Sequence, residues 1–434
     1  MGRKALYQQL YCSMNGIPVG VITRRQGRMS FQYVETWLNH RQGRPISLSI
    51  PLAREEQHTE AVHAYFENLL PDNDNIRKKI VDSLGAASTH PFDLLEIIGA
   101  DCVGALSITS QKLQYTHPEI TVKKLATEDV AQVIRRSRIT NMLGMEEDDD
   151  FRISLAGAQE KTALTWWDGH WCKPYGQTPT THIIKPSINM HKQMQLDLSN
   201  SVDNEFFCLR FLQHMAIPVP HVYIQSFEEQ RVLVVTRFDR LLAQGKIFRL
   251  PQEDMCQALG KSSGSKYQDK GGPGVKDIME LLLTSARPMT DREIFMKCQL
   301  LFWLLAAIDG HAKNFSLFLR PTGYELTPIY DVMSAYPYFG QGNMQKKKIK
   351  MAMAVYGTNA HYHWNTIYKR HWLSTAEKVG YDKGLMENII DDVITNTNTA
   401  LEKTAQDLPE GFSENIAISI IDHVKCALRR LTDN

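Results

Sequence analysis

Several features that would place this sequence in a specialised class are missing or scarce. The seven cysteines among the 434 residues are scattered and form no Cys-x-x-Cys pair, which excludes a disulfide framework and a zinc site. The formal net charge is only +1, so no strongly basic nucleic-acid-binding surface is indicated. There is no internal repeat or low-complexity tract. The composition that remains is that of an ordinary globular protein.

Long hydrophobic runs are also absent. The longest unbroken apolar run, Leu300–Ile308, has nine residues, whereas a helix needs roughly 20 to cross a bilayer. The first residues, Met-Gly-Arg-Lys, carry no apolar core of a secretory signal. We therefore expect a cytoplasmic protein with no membrane partner.

The length predicts more than one domain, and the first part of the chain mixes strands with a helix. Strand-like segments at Pro18–Ile22 and Ile46–Ile50 precede a helix that begins at Glu60 and ends before Pro71. We assign residues 1–110 to an N-terminal α+β module.

The middle of the chain predicts a sheet with one helix, and the rest is mostly helical. Strands are expected at 163–167, 181–185 and 232–235, and a helix at about 203–215 separates the last two. This order is typical of the smaller lobe of a protein kinase, which we assign to residues 111–240. Residues 241–434, with a buried helix at 293–308, are assigned to a largely helical C-terminal lobe. The predicted fold class is α+β with a bilobal, protein-kinase-like core.

The buried helix leads directly into Asp309-Gly310-His311-Ala312-Lys313-Asn314. Phosphoryl transfer to a hydroxyl needs a carboxylate that accepts the proton and oxygen ligands for Mg²⁺. Asp309 and Asn314 supply both at the spacing of the kinase catalytic loop. Asp331, which follows a predicted hairpin, would be the second Mg²⁺ ligand. Taken alone, the spacing fits a polar loop that caps a core helix.

Two further residues make the kinase interpretation stronger. Lys185 ends an apolar strand, as does the lysine that contacts ATP phosphates in kinases. Glu205 follows on the next helix and could hold Lys185 in an ion pair. A lysine at the end of a strand is by itself more often a solvated surface residue. The whole set, in the proper order and each on the proper element, favours an enzyme that uses ATP and Mg²⁺.

The segments expected to contact the nucleotide leave alternatives open. Ser154–Lys161 could wrap phosphates with backbone N–H groups, but its single glycine fits a plain tight turn equally well. The run Thr236-Arg237-Phe238 should lie at the hinge between the lobes, against the nucleotide base. Asp239 beyond it is either structural or a ribose ligand.

Longer runs of the sequence resemble the HipA family, the kinase toxins of bacterial type II toxin–antitoxin pairs. The resemblance covers essentially the whole chain, with a leucine in place of valine at Leu155 and a poor match over Gln341–Lys350. The matching runs are Phe66–Asp72, Pro91–Leu95, Phe151–Ala163, Thr178–Lys185, Ser201–Glu205, Arg249–Gln257 and Asp309–Ser316.

The resemblance implies roles for single residues. Asp309 matches the catalytic base, Asn314 and Asp331 the Mg²⁺ ligands, and Lys185 the ATP-contacting lysine. Ser154 matches a serine that the family autophosphorylates, which ejects the phosphate loop and switches the kinase off. We assign to catalysis Asp309, Lys185 and Glu205. We assign to ATP contact Leu155, Ala156, Gly157, Ala158, Gln159, Glu160, Lys161, Lys185, Thr236, Arg237, Phe238, His311, Lys313 and Asn314.

The resemblance also implies partners. These are a HipB-like helix-turn-helix antitoxin dimer, operator DNA bound mainly through that antitoxin, and a protein substrate, glutamyl-tRNA synthetase, whose modification leads to growth arrest and persistence. A small-molecule phosphotransferase would share the same Asp, Asn and Asp but enclose its site with inserted helices. A non-catalytic corepressor would be expected to lack the base, a metal ligand or the lysine, and all are present.

Overall fold

The computed structural model describes residues 7–112, 119–139, 161–188, 196–342 and 344–432. Buried apolar side chains gather in separate clusters. One lies within residues 10–108, one around the sheet of residues 130–234, and the largest extends from the helix at Ser201–His214 to the C-terminal helix. No helix in these ranges has the length and hydrophobicity to cross a bilayer.

The N-terminal domain is an antiparallel sheet covered by helices. The sheet has the strand order β3-β2-β1-β4, and its hairpins turn at Asn15-Gly16 and Gln26-Gly27, where both residues of each pair have positive φ. Such φ values match the twist of the strands they connect. The elements are β1 (Tyr7–Met14), β2 (Ile17–Arg25), β3 (Arg28–Tyr33), α1 (Glu35–Leu38), α2 (Glu60–Asn68), α3 (Asp74–Leu84), α4 (Pro91–Ile98) and β4 (Leu106–Thr109).

The middle of the chain has a larger sheet with the strand order β5-β7-β6-β8-β10-β9. Its inner strand β8 pairs with β6 on one side and β10 on the other, and α6 packs on β9 and β10. The predicted strands and helix of this region are confirmed. The elements are β5 (Val122–Lys124), α5 (Thr127–Ile139), β6 (Thr162–Trp167), β7 (His170–Pro174), β8 (His182–Pro186), α6 (Ser201–His214), β9 (Val222–Phe227) and β10 (Gln230–Thr236).

The C-terminal part is largely helical, as expected, with short sheets that carry the loops of the site. Its central helix α9 is buried along most of its length and ends at Leu304, shortly before the predicted catalytic loop at Asp309. The elements are β11 (Arg240–Ala243), β12 (Lys246–Arg249), β13 (Gln252–Asp254), α7 (Met255–Ala258), α8 (Val275–Leu281), α9 (Pro288–Leu304), β14 (Ser316–Arg320), β15 (Gly323–Leu326), β16 (Lys350–Tyr356), β17 (Ala360–His363), α10 (Lys369–Lys378), α11 (Lys383–Gln406) and α12 (Glu414–Thr432).

One predicted strand is wrong. The alternating segment Ile46–Ile50 forms a turn, closed by the Ile50 N–H donating to the Ser47 carbonyl at 3.0 Å. Both isoleucines are buried, as their alternation with polar residues indicated. The backbone of Leu48, however, bonds to a side chain of the C-terminal part, Glu253, at 2.9 Å and not to a neighbouring strand.

Candidate active site

Lys185 lies at the centre of a cluster of charges in which Lys185 and Glu205 are buried and Asp331 is partly exposed. Its amino group donates to Glu205 Oε1 at 2.6 Å and to Asp331 Oδ1 at 2.9 Å. Strand β8 supplies the lysine, α6 the glutamate, and the segment after β15 supplies Asp331. Three predicted site residues that are far apart in sequence therefore meet at one amino group.

The cluster fixes the charges of its members. Burial alone would lower the pKa of Lys185, but the carboxylates of Asp331 and Glu205 outweigh it and raise that pKa. Burial would raise the pKa of Asp331, yet the lysine beside it holds this pKa well below the usual range. For Glu205, which is 2% exposed, burial dominates and raises the pKa, and Lys185 offsets part of the shift. At neutral pH the lysine is a cation held by carboxylates.

The predicted catalytic loop follows α9 through a tightly packed turn. Ala306, just after the helix, has φ +47°, a conformation that few residues other than glycine adopt. A Cβ atom on Gly310 would lie 2.4 Å from the ring of Phe302, so only glycine fits at this position of the loop. Asp309 is exposed, whereas the residues that follow it, Gly310 and His311, are buried.

Asn314 and Asp331 are joined directly. The Asn314 side-chain amide donates to the Asp331 carbonyl at 3.0 Å, which leaves the amide oxygen of this buried residue as a coordinating atom. Asp331 has φ +62°, and a non-glycine residue in this region is typical of functional loops. A carboxylate and an amide oxygen are the hard ligands that Mg²⁺ takes in proteins. The residues present therefore fit the predicted metal.

Tyr267 is a site residue that the sequence analysis missed. Its hydroxyl donates to Asp309 Oδ1 at 2.5 Å, and its ring meets the ring of His311 edge-on at 5.1 Å. Burial raises the pKa of Tyr267, and the charge of Asp309 raises it further, so the phenol stays protonated as a donor. Tyrosine in a polar loop gave no signal of this contact, because the loop comes close to Asp309 only in the fold.

The other two polar residues of the loop are buried. The Lys313 amino group donates to the carbonyl and Oδ1 of Asn68, at 3.2 and 2.6 Å, and to Asp254 Oδ2 at 3.1 Å. These bonds occupy the protons that the ammonium carries. The sequence assigned Lys313 to ATP, whereas the structure engages its amino group with the N-terminal domain and β13. Burial lowers the pKa of His311, whose Nδ1 has no partner among the described residues.

The hinge segment divides into a structural and an apolar part. The Arg237 guanidinium is buried and donates to both carboxylate oxygens of Asp239, at 3.0 and 2.7 Å. Asp239 also accepts from the Gly104 N–H at 2.8 Å, so its role is structural, the first of the two alternatives. The Phe238 ring lies 5.6 Å from that of Tyr330. The predicted apolar contact of Phe238 with a nucleotide base remains a prediction, as does a backbone contact of Thr236.

Asp239 belongs to a larger interdomain cluster around Asp101 of the N-terminal domain. Asp101 Oδ1 accepts from Arg240 at 2.9 Å and from Arg249 at 3.0 Å, and Oδ2 accepts from the Thr180 hydroxyl at 2.6 Å. Burial would raise the pKa of Asp101, but the surrounding guanidinium groups hold it well below its usual range. The side chain of Arg237 is thus part of a joint between domains.

Lys161 is the described end of the predicted phosphate loop. Burial lowers its pKa to about 8, against the opposing charge of Asp331. The charges of Asp331 and Lys185 act on this pKa in opposite directions. Ser154 and the residues Leu155–Glu160 lie outside the described residues.

Comparison with known proteins agrees with this geometry. A family model for the HipA-like C-terminal domain matches residues 153–401, and one for the HipA N-terminal domain matches residues 10–109. The chain belongs to the HipA family. It is 29% identical over 398 residues to the serine/threonine-protein kinase toxin HipA of Shewanella oneidensis, covering 88% of this chain and 83% of that one. It is 28% identical over 414 residues to the putative kinase Y4mE of Sinorhizobium fredii, covering 93% and 94%.

The fold agrees as well. The structure of the Shewanella oneidensis HipA, HipB and operator DNA complex superposes with a TM-score of 0.80 at 25% identity, covering 97% of this chain and 96% of that one. The predicted α+β, kinase-like fold and the predicted enzyme class, a serine/threonine protein kinase of the HipA type, are confirmed. The roles assigned to single residues remain predictions.

Proposed function

We propose that this chain transfers the γ-phosphate of ATP to a serine or threonine hydroxyl, with Asp309 as the base. The observation that carries the proposal is the cluster in which the Lys185 amino group joins Glu205 and Asp331. In this proposal the carboxylate of Asp309, which is exposed, would stand at the entrance of the same site. The acceptor oxygen would attack the γ-phosphorus while the bond to ADP breaks. Asp309 would receive the proton, and Lys185 would orient the phosphates.

Asn314 and Asp331 are the residues that would hold Mg²⁺. The bound ion would neutralise phosphate charge. Asn314 is fixed by its bond to the Asp331 backbone, so its oxygen and the Asp331 carboxylate stay together without the nucleotide. Lys161 would add a cation near the phosphates, and the residues Leu155–Glu160 would cover them.

The biological role that we propose is that of the toxin in a toxin–antitoxin pair. A HipB-like helix-turn-helix dimer would bind the chain and carry most of the contact with operator DNA, so that the complex represses its own operon. In support, the HipA of Shewanella oneidensis, which this chain matches over nearly its whole length, was solved with HipB and its operator DNA. The proposed substrate is glutamyl-tRNA synthetase, whose phosphorylation would halt growth and promote persistence. Phosphorylation of Ser154 would end the activity.

The test follows labelled phosphate from γ-labelled ATP into the purified full-length chain and into added acceptors. Glutamyl-tRNA synthetase, casein as a general protein acceptor, and an aminoglycoside as a small-molecule acceptor are compared, each with wild type and Asp309→Asn. We expect labelling of the chain and of the synthetase by wild type only. Labelling of the aminoglycoside alone would favour a small-molecule phosphotransferase, and no labelling at all would contradict the kinase.

A further inference from the structure

We propose that Asn68 and Asp72 of the N-terminal domain are positioning residues for the catalytic loop of the kinase. Both lie at the C-terminal end of α2 or just beyond it, in the segment Phe66–Asp72. The proposal rests on Asp309 being the catalytic base. It goes further by giving the N-terminal domain a part in phosphotransfer.

The first link runs through Lys313, inside the catalytic loop. Its amino group donates to Asn68 Oδ1 at 2.6 Å and lies 3.6 Å from Asp72 Oδ1. Burial would lower the pKa of Lys313, but Asp254 and Asp72 outweigh it and raise that pKa. The Asn68 amide also donates to the Lys261 carbonyl at 2.8 Å. One asparagine thus joins the N-terminal domain to the catalytic loop, at Lys313, and to the segment that precedes Tyr267, at Lys261.

The second link runs through Lys266, whose amino group donates to Asp72 Oδ2 at 2.9 Å. The Lys266 carbonyl accepts from the Ala312 N–H of the catalytic loop at 3.2 Å. The next residue is Tyr267, whose hydroxyl bonds to Asp309. The carboxylate of Asp72 is therefore connected, through one ion pair and one neighbouring residue, to the carboxylate that removes the proton.

The residues on either side of Tyr267 are both held by hydrogen bonds. Lys266 is held by Asp72 and Ala312, and Gln268 is held by β16, with Nε2 donating to Tyr356 Oη at 2.9 Å and Oε1 accepting from the Ala354 N–H at 2.7 Å. A phenol held in this way anchors one oxygen of Asp309 and leaves the other for the acceptor. Fixed supporting bonds are what keep a reacting group in productive geometry.

The charge of Asp72 also supports a positioning role for this residue. Burial would raise the pKa of Asp72, which is 10% exposed at its side chain, but Lys313 and Lys266 lower it. Asp72 therefore remains an anion shared by two lysines, one in the catalytic loop and one beside Tyr267. Removing this charge leaves two ammonium groups facing each other with less compensation, and both carry segments next to Asp309.

The test compares Asp72→Asn and Asn68→Ala with Asn15→Gly, a matched loss of bonds between the same domains. Asn15 exchanges two bonds with the Arg249 backbone, at 2.9 and 2.8 Å, and glycine tolerates its positive φ. We expect Asp72→Asn and Asn68→Ala to lower the maximal phosphotransfer rate about tenfold to a hundredfold. Calorimetric affinity for the non-hydrolysable ATP analogue should change by less than about threefold, because the Lys185 cluster is unaltered. Asn15→Gly should lower the melting temperature without slowing transfer.

A further variant acts from the kinase side of the ion pair. Lys266→Gln should slow transfer no more than Asp72→Asn, which also removes the charge facing Lys313. The double variant should be no slower than Asp72→Asn, because the Asp72 change already weakens the bond that Lys266→Gln removes. Phosphotransfer rates are divided by the folded fraction of each variant, so that a destabilised variant still gives a comparable rate. Rates within about twofold of wild type for both Asp72→Asn and Asn68→Ala would overturn the proposal, and so would an Asn15→Gly variant that is slowed equally. Wild type and Asp309→Asn, run alongside, show separately whether the kinase assignment holds.

Discussion

Replacing Lys185 with methionine tests whether the buried cluster holds the charges that the geometry implies. The variant keeps the length and most of the apolar stem of the side chain but removes the cation between Glu205 and Asp331. Asp331, whose side chain is 39% exposed, can be solvated, whereas Glu205 is 2% exposed at its side chain. The cost of the substitution should therefore fall on Glu205, which must either stay ionised without a partner or take up a proton.

The expected loss of unfolding free energy is set by whichever of these two states of Glu205, ionised or protonated, costs less. An unpaired buried charge costs about 3 to 5 kcal/mol. Protonating a carboxyl with an ordinary pKa near 4.3 costs about 3.7 kcal/mol at pH 7 but only about 1 kcal/mol at pH 5. In the variant the folded-state pKa of Glu205 lies above its unfolded value. The protonated form therefore stabilises the fold at low pH, and this contribution is lost as the pH rises.

The assay is urea unfolding of the kinase domains at pH 5, 6 and 7, with Lys347→Met as a control at an exposed lysine. We expect the difference in unfolding free energy between wild type and Lys185→Met to grow by about 1.4 kcal/mol per pH unit. For the double variant with Glu205→Gln, the difference in unfolding free energy from wild type should not grow with pH in this range, because no carboxyl remains at position 205. A loss that is independent of pH, or equal to that of Lys347→Met, would refute the reasoning.

Four further outcomes follow from the site and the domain interface. Asp309→Asn should lower phosphotransfer by a factor of about 10² to 10⁴ with ATP affinity nearly intact, and more than a tenth of the wild-type rate would exclude it as the base. Asn314→Ala and Asp331→Ala should be partly rescued by raised Mg²⁺ or by Mn²⁺, so magnesium titrations that match wild type would remove both from the metal site. Phosphorylation of Ser154 should weaken ATP binding by like-charge repulsion, and equal calorimetric affinities of the two forms would contradict the switch. Burial raises the pKa of Glu253 to about 8, so stability should fall as pH rises from about 4.5 to 8, and Glu253→Gln should flatten this dependence.

The sequence predicted those parts of the fold whose signal is periodic. The segments of α6 and α9 are rich in apolar residues over the length of a helix, and the strands around β8 are rich in β-branched residues, so their type and approximate place follow from local pattern. The alternation at Ile46–Ile50 misled because a turn can also bury two isoleucines on one side. Periodicity reports which side chains are buried, and it does not report what the backbone bonds to.

The order of the site residues along the chain was also predictable. Lys185 was expected at the end of a strand, Glu205 on the next helix and Asp331 after a hairpin, and each lies on the expected element. Such an inference works because phosphoryl transfer restricts the residue types and the fold restricts their order. The order of residues does not show which side chains touch in the fold. Only the structure shows that Glu205 and Asp331 both accept from the Lys185 amino group.

The predictions that the structure redirects have a common physical cause. Arg237 was assigned to the nucleotide as part of the hinge segment and Lys313 as part of the catalytic loop, but the side chains of both are buried and donate to groups of the protein. A cation in a protein interior needs compensating anions, and here these come from residues distant in sequence, Asp254 and Asp239 among them. A single sequence shows that a lysine or arginine is present, but it does not show which carboxylate pairs with it in the folded protein.

The Phe66–Asp72 segment shows why such contacts matter for function. Its glutamate, asparagine and aspartate lie at the end of a short helix, where polar residues need no explanation beyond solvation. In the fold Glu67 accepts from the Ser263 hydroxyl at 2.6 Å, Asn68 from Lys313, and Asp72 from Lys266. All three anchor kinase segments within a few residues of Tyr267 or Asp309. Because the same short segment supplies every one of these anchors, its polar residues are better explained by the geometry of the catalytic loop than by the stability of the N-terminal domain alone.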